Sequence, residues 1–150
     1  MFVTTHVLAG ATIGTVLSRS PTGAFVAGAL SHLGMDACPH WGIKLDTPGA
    51  KEQFMRIARC DGCAGLAAMA LAAGLVGPQA RRSTVAAMVG AALPDLDKPV
   101  LHFFGFYPFP NWFRRLHQAL QREAPHRMPH ELALAGVLGV VAFRRLRATR

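Results

Sequence analysis

Residues 31–41 read SHLGMDACPHW. This stretch closes a helix-length apolar run that opens at Pro21. Pro39 disfavours helical backbone at Cys38, so the helix is expected to stop there and leave His40 in the loop beyond. Before the stop, His32 and Asp36 stand four residues apart, which puts an imidazole and a carboxylate on one helix face. Such groups at a helix end serve as metal ligands, as caps or as buried hydrogen-bond partners. What the rest of the chain brings to the same place decides among these.

Working outward, five apolar segments stand out. The first begins at His6 and runs HVLAGATIGTVLS to Ser18. Ser20 and Pro21 then form an N-cap and first-turn pair for the second, which continues to about Ala37. A polar loop with Pro39, Gly42, Asp46, Pro48 and Gly49 leads into the amphipathic KEQFMRIARC. The third segment starts near Asp61 and runs to a Gly77-Pro78 stop. The fourth is capped by Ser83 and ends in LPDLDKP, residues 93–99, and the last opens near Pro129 or His130 and runs into Arg144 and Arg145. Strand-type alternation is absent, so the fold class is all-α, a compact up-down bundle of about five Ala/Gly-rich helices. The chain divides into hairpin one over 1–40, hairpin two over 53–99, an aromatic and basic segment over 100–128 and a last helix over 129–146. Together these make one helical domain, 1–150. The two hairpins share an order of helix, basic turn, helix, acidic end and proline, which suggests a duplicated hairpin.

Of the 150 residues 51% are hydrophobic and 16% charged, with a formal net charge of +8. Abundant Ala and Gly suit close helix packing, and more so in a membrane. Each apolar run is shorter than the ~20 residues that cross a bilayer, so a soluble bundle stands as the alternative to membrane association. The positive charge points to membrane lipid or an anionic, phosphorylated substrate. No nucleic-acid partner is expected, because the basic residues are spread along the chain and no binding module is visible. Within 100–128, Trp112, Phe113, Leu116 and Leu120 fall opposite Arg114, Arg115, Gln118 and Arg122. That pattern fits an interfacial helix or an ordinary surface helix covering the bundle. Cys38, Cys60 and Cys63 are odd in number and no secretory signal is recognisable, so a disulfide framework is not expected. The CxxC at Cys60 and Cys63, with Cys38 and His40, could instead form a zinc site.

Short turns make successive helices antiparallel. Followed up and down, the chain brings His6, His32, Asp36, His40, Asp61, Asp95, Asp97, His126 and His130 to one end of the bundle. The arginines at 19, 81, 82 and 144–150 fall at the other. Massed carboxylates repel, and a divalent cation relieves the conflict. Mixed imidazole and carboxylate groups suit Zn²⁺, the leading expectation, or Mn²⁺ or Fe²⁺, better than Ca²⁺ or Mg²⁺. A cation with an open position makes a bound water more acidic and a better nucleophile. Each residue also has a plainer reading: Asp95 as a turn residue, His130 as a cap, Asp61 as a partner of a helix dipole.

The THxxAG start (Thr5, His6, Ala9, Gly10), SHLGMD (31–36), LPDLDKP (93–99) and HRMPHEL (126–132) together resemble the LexA-regulated inner-membrane metal-dependent hydrolases. In that family an N-terminal histidine, a PD-[IL]-D-H segment, an HRG-x-THS segment and an SHxxxD helix recur. Here SHxxxD precedes PDLD, Lys98 replaces the histidine after PDxD, and Pro129 and Glu131 stand where Thr and Ser are usual. The resemblance implies metal roles for His6, His32, Asp36, Asp95, Asp97, His126 and His130. Asp61 joins the set from the bundle geometry alone. The expected function is a hydrolase of the inner (cytoplasmic) membrane that cleaves a phosphoester or similar bond, with Asp97 as proton acceptor. Lys44, Lys51, Arg56, Arg59, Lys98 and the arginines of 114–127 would face lipid phosphates or the substrate. The alternative is a non-catalytic membrane protein with a structural polar or metal-bound end.

Overall fold

The computed structural model describes residues 1–43 and 48–150; Lys44 and Asp46 lie outside the described residues. The fold is all-α, as the spacing of apolar runs requires. In chain order the helices are α1 (Val3–Val16), α2 (Pro21–Asp36), α3 (Ala50–Leu75), α4 (Pro78–Ala92), α5 (Asp97–Phe104), α6 (Asn111–Leu120) and α7 (Met128–Arg147). Short 3-10 turns join α4 to α5 and lead into α7.

Local chemistry explains most boundaries. Ser20 accepts a hydrogen bond from the Gly23 N–H at 3.1 Å, and Pro21 occupies the first turn of α2, where its missing N–H costs nothing. At the far end of α3, Arg150 donates to the carbonyls of Leu75 and Gly74 at 2.7 and 3.1 Å, satisfying groups that the helix leaves open. Three boundaries differ from expectation: α4 begins at Pro78, so Ser83 lies inside it and donates its hydroxyl to the Ser18 carbonyl at 3.0 Å in place of capping. The lead-in KEQFMRIARC and the apolar run after Asp61 form one continuous helix, α3, because no proline interrupts residues 50–75 and the glycines at 62 and 65 are tolerated. The start of the 100–128 segment is helical as well: α5 carries residues to Phe104 before Gly105, at φ 76°, ends it.

Helix α1 is the hub, packed on α2, α3, α4 and α7, and α4 also packs along α2. The core is thin and built largely from alanine, with Val7, Ala11, Ala72, Val76, Ala80, Met88, Ala142 and Leu146 at its centre. Small residues let backbones touch. A methyl group at Gly28 would collide with the Ala87 carbonyl of α4, a backbone group that cannot swing aside. Gly28→Ala is therefore expected to destabilise the fold by about 1–3 kcal/mol, read as a lower unfolding midpoint.

The outside is unusually apolar. A folded monomer of this mass exposes about 7,400 Å² by size scaling, whereas this chain exposes 8786 Å². Leu66 and Leu71 of α3, Leu132, Val137, Val140 and Phe143 of α7, and Phe103, Phe104 and Trp112 near α5 and α6 all face outward. Among the described residues, α3 alone is long and apolar enough to cross a membrane, by length and composition.

Candidate metal centre

Four helix ends and one strap build the polar end. His32 and Asp36 occupy the last turns of α2, on the face turned to α4. His6 lies in the first turn of α1, and Asp95 in the 3-10 turn after α4. Beyond Pro39 the chain does not leave the bundle. Residues Pro39–His40 pair in parallel with Arg122–Glu123, and the Ala124 N–H donates to the His40 carbonyl at 3.0 Å. That small pair holds His40 inward and brings it within 3.9 Å of Glu123. Helix α6 supplies His117, one turn after Phe113, and both side chains lie on its inner side.

Asp36 is the centre of the arrangement. Its Oδ2 lies 3.0 Å from His117 Nε2 and 3.2 Å from His32 Nε2. Its Oδ1 lies 3.3 Å from His6 Nε2, 3.9 Å from His40 Nε2 and 3.6 Å from the Met1 amino nitrogen. His32, Asp36, Asp95 and His117 each offer a ligand atom, and these atoms all lie within 4.8 Å of one another. Around a tetrahedral zinc with ~2.0–2.2 Å bonds the ligand atoms stand about 3.3–3.6 Å apart, so binding would draw the widest pair together by about 1 Å. Asp36, His32 and His117 are buried, and Asp95 is nearly so.

The hydrogen-bond inventory tests whether a cation fits. The Ala91 carbonyl can only accept, so His32 must donate to it from Nδ1, at 2.7 Å. In a neutral ring this leaves a lone pair on His32 Nε2, aimed at Asp36 Oδ2 and at His117 Nε2, 3.1 Å away. Acceptors facing acceptors repel unless a proton or a metal cation lies between them. A carbonyl that fixes the outer ring nitrogen is also how metal-binding histidines are oriented. Beside this group, His6 Nδ1 and Nε2, Asp36 Oδ1 and His40 Nε2 are buried without hydrogen-bond partners. Each such orphan costs about 1–3 kcal/mol unless something satisfies it. The residues present thus fit a divalent cation.

Around the cluster the charges are ordered. Lys98 donates to Asp95 Oδ1 at 2.7 Å. Burial opposes ionisation of Asp95, but the Lys98 ammonium, aided by His32 and His6, outweighs it and holds the carboxyl at about 2. Asp97 goes the other way: burial, with Asp95 adding repulsion, raises it above the ordinary carboxylate value despite Lys98 nearby. Its Oδ1 is buried without a partner. Glu123 is held below the ordinary value: burial opposes this, but His40 and Lys98 prevail.

Of the residues expected at this end, the fold brings together His6, His32, Asp36, His40 and Asp95, with Asp97 two residues on. Asp61 is at the same level but otherwise engaged. Because α3 begins at Ala50, Asp61 lies within that helix, and its carboxylate accepts from the Val3 and Thr4 N–H groups at 2.6 and 3.1 Å. It caps α1. His126 and His130 are exposed and outside the cluster. The reason is helical phase: the inward position of α7's first turn is Glu131, and its neighbour His130 is rotated about 100° away. Glu131 Oε1 accepts from the Phe2 N–H at 3.1 Å and the Thr5 hydroxyl at 2.9 Å, and Oε2 from the Trp41 N–H at 3.5 Å. Glu131→Ala should cost ~2–3 kcal/mol of stability without lowering metal content, checked by unfolding and metal analysis side by side.

One member, His117, was not singled out from sequence. His117 belongs to a helix whose Trp112 and Leu116 draw attention to the opposite, exposed side. His40 is placed by a two-residue strand pairing that leaves no periodic signal. The three cysteines are free and exposed. Compared with known proteins, the chain matches no family model, no curated protein and no solved structure.

Proposed function

We propose that this protein is a membrane-associated, metal-dependent hydrolase acting on a phosphoester or similar bond. The observation that carries the reading is the buried convergence of His32 Nε2, His117 Nε2 and Asp36 Oδ2, within 3.2 Å of one another. His32, Asp36, Asp95 and His117 would hold the cation, with His6 and His40 lining the other side of Asp36. Zinc is favoured over Mn²⁺ or Fe²⁺ by the share of imidazole. Bound there, a divalent cation supplies Lewis acidity toward a phosphoryl oxygen and a more acidic water.

The chain's own groups do the rest. Lys98 keeps two donors free after pairing with Asp95, enough to hold a phosphate oxygen. In hydrolysis a water oxygen bonds to phosphorus and the ester P–O bond breaks. Asp97, whose buried Oδ1 has no partner, takes the water's proton and passes it to the ester oxygen, which leaves as an alcohol. Resemblance to the LexA-regulated hydrolases supports this reading through the motifs around His6, His32, Asp36 and Asp95. The outward apolar faces of α3 and α7 support a membrane location, with the inner membrane as the compartment the resemblance implies.

A structural role is the second reading, favoured by the depth of the cluster, since Asp36 is reached only through its neighbours. Asp97→Asn separates the two. The hydrolase reading expects unchanged metal content and a loss of turnover on the order of 100-fold, within the range for general-base removal. Unaltered turnover would remove Asp97 from the mechanism, and metal-loaded wild-type protein that cleaves no phosphoester would favour the structural role.

A further inference from the structure

A cavity of about 550 Å³ lies between the start of α1, the first half of α3 and α5. The two later helices face one another there without packing closely. Its volume falls in the ~300–1,000 Å³ range of ligand pockets. The walls are almost wholly apolar, among them Phe2, Met55, Leu66, Met69 and Phe103. Two of these, Leu66 and Phe103, are each 69% exposed, so the mouth is apolar too. A polar substrate gains nothing from such an entrance, whereas a hydrocarbon chain passes from bilayer to cavity without meeting water. Methionine side chains suit a flexible chain because they repack readily. Polar residues interrupt the wall at Arg59, Asp61 and His102, and at Asp95 and Lys98, the edge of the candidate metal centre, which border the same space.

We propose that this cavity takes the hydrocarbon tail of a phosphate-headed amphiphile, with the phosphate at Lys98 and the His/Asp cluster. The inference rests on the phosphoester reading above and names its substrate class as a lipid phosphate ester. Charge complementarity sets the head group, since Lys98 is a cation beside the ligand set and a neutral or cationic head would leave its free donors unused. The apolar mouth sets the tail.

The test uses full-length protein in detergent micelles and a photo-crosslinking probe, dodecyl phosphate carrying a terminal diazirine. An uncharged amphiphile with the same diazirine chain and a maltoside head serves as comparison. Cross-links are mapped by peptide mass spectrometry, and metal content is measured on the same samples. The phosphate probe is expected to label Met55, Leu66 and Met69 at least tenfold more than the maltoside probe does. Gly62→Phe should abolish most of that labelling. Gly62 lines the cavity and a Cβ added there meets nothing within 4 Å, so phenylalanine is accepted by the helix and narrows the space. Equal labelling by the two probes, labelling concentrated on the outward face of α7 at Val137 and Val140, or labelling unaffected by Gly62→Phe would each overturn the inference. Cavity labelling by protein that binds no metal would sink the hydrolase reading and leave the amphiphile site standing. Metal-loaded protein without cavity labelling would do the reverse.

Discussion

Asp36→Asn is expected to keep the helical fold, lose the bound cation and lower hydrolysis by on the order of 100-fold or more, above the 10–100-fold typical of removing a mere supporting partner of a ligand. Asp36 stands within 4 Å of four imidazoles, its Oδ2 against His32 and His117 and its Oδ1, which has no hydrogen-bond partner, facing His6 and His40. Asparagine keeps the shape but offers one neutral carbonyl in place of a carboxylate. Asp36→Ala is a harsher change. Leaving a buried charged group without its partner typically costs about 3–5 kcal/mol, so that variant tests folding rather than metal binding. Chelation provides the internal control. A cation present at 100 times its Kd stabilises the folded state by ~2.7 kcal/mol. EDTA should therefore lower the unfolding temperature of the wild type and leave that of Asp36→Asn unchanged. Equal chelator sensitivity in both would mean that the cation sits elsewhere.

The second large effect concerns partitioning. After cell lysis the protein is expected in the membrane fraction, to stay there through washing in 1 M salt, and to be released by detergent. A chain held only by its +8 charge would come off in salt, because screening at 1 M shortens electrostatic reach to about 3 Å. The apolar faces of α3 and α7 are insensitive to salt, and Trp112 with Arg115 of α6 adds an amphipathic contact at head-group level. Recovery of the protein in the aqueous fraction without detergent would contradict membrane association and leave a soluble bundle.

What could be read from the residues, and what could not, follows from which interactions carry local signals. Proline and serine at 20–21 and proline at 39 bound α2 in the sequence itself, and the i, i+4 spacing of His32 and Asp36 fixes their shared face. Antiparallel succession then places His6 and Asp95 at the same end. Rotation about a helix axis is a different matter. Nothing in HRMPHEL says that Glu131 rather than His130 turns inward, because that is decided by the N–H groups of Phe2 and Trp41, more than 80 residues away. The same holds for Asp61, whose carboxylate is taken by the start of α1. His40 and His117 reach Asp36 through tertiary placement alone: one by a strand pair two residues long, the other by the side of α6 that its hydrophobic pattern does not mark. Of the residues that carry the resemblance, His6, His32, Asp36 and Asp95 lie together with Asp97 two residues on, and His126 and His130 lie on the surface.

The central claim is that His32, Asp36, Asp95 and His117 hold a divalent cation. Metal analysis of wild-type protein purified without chelator, joined to X-ray absorption at the metal edge, tests it most directly. The expected result is at least one equivalent of divalent metal per chain, with mixed imidazole and carboxylate scattering at ~2.0–2.2 Å that disappears in a His32→Ala, His117→Ala double variant. A folded wild-type protein that carries no metal, and takes up none when Zn²⁺, Mn²⁺ or Fe²⁺ is resupplied, would contradict the claim.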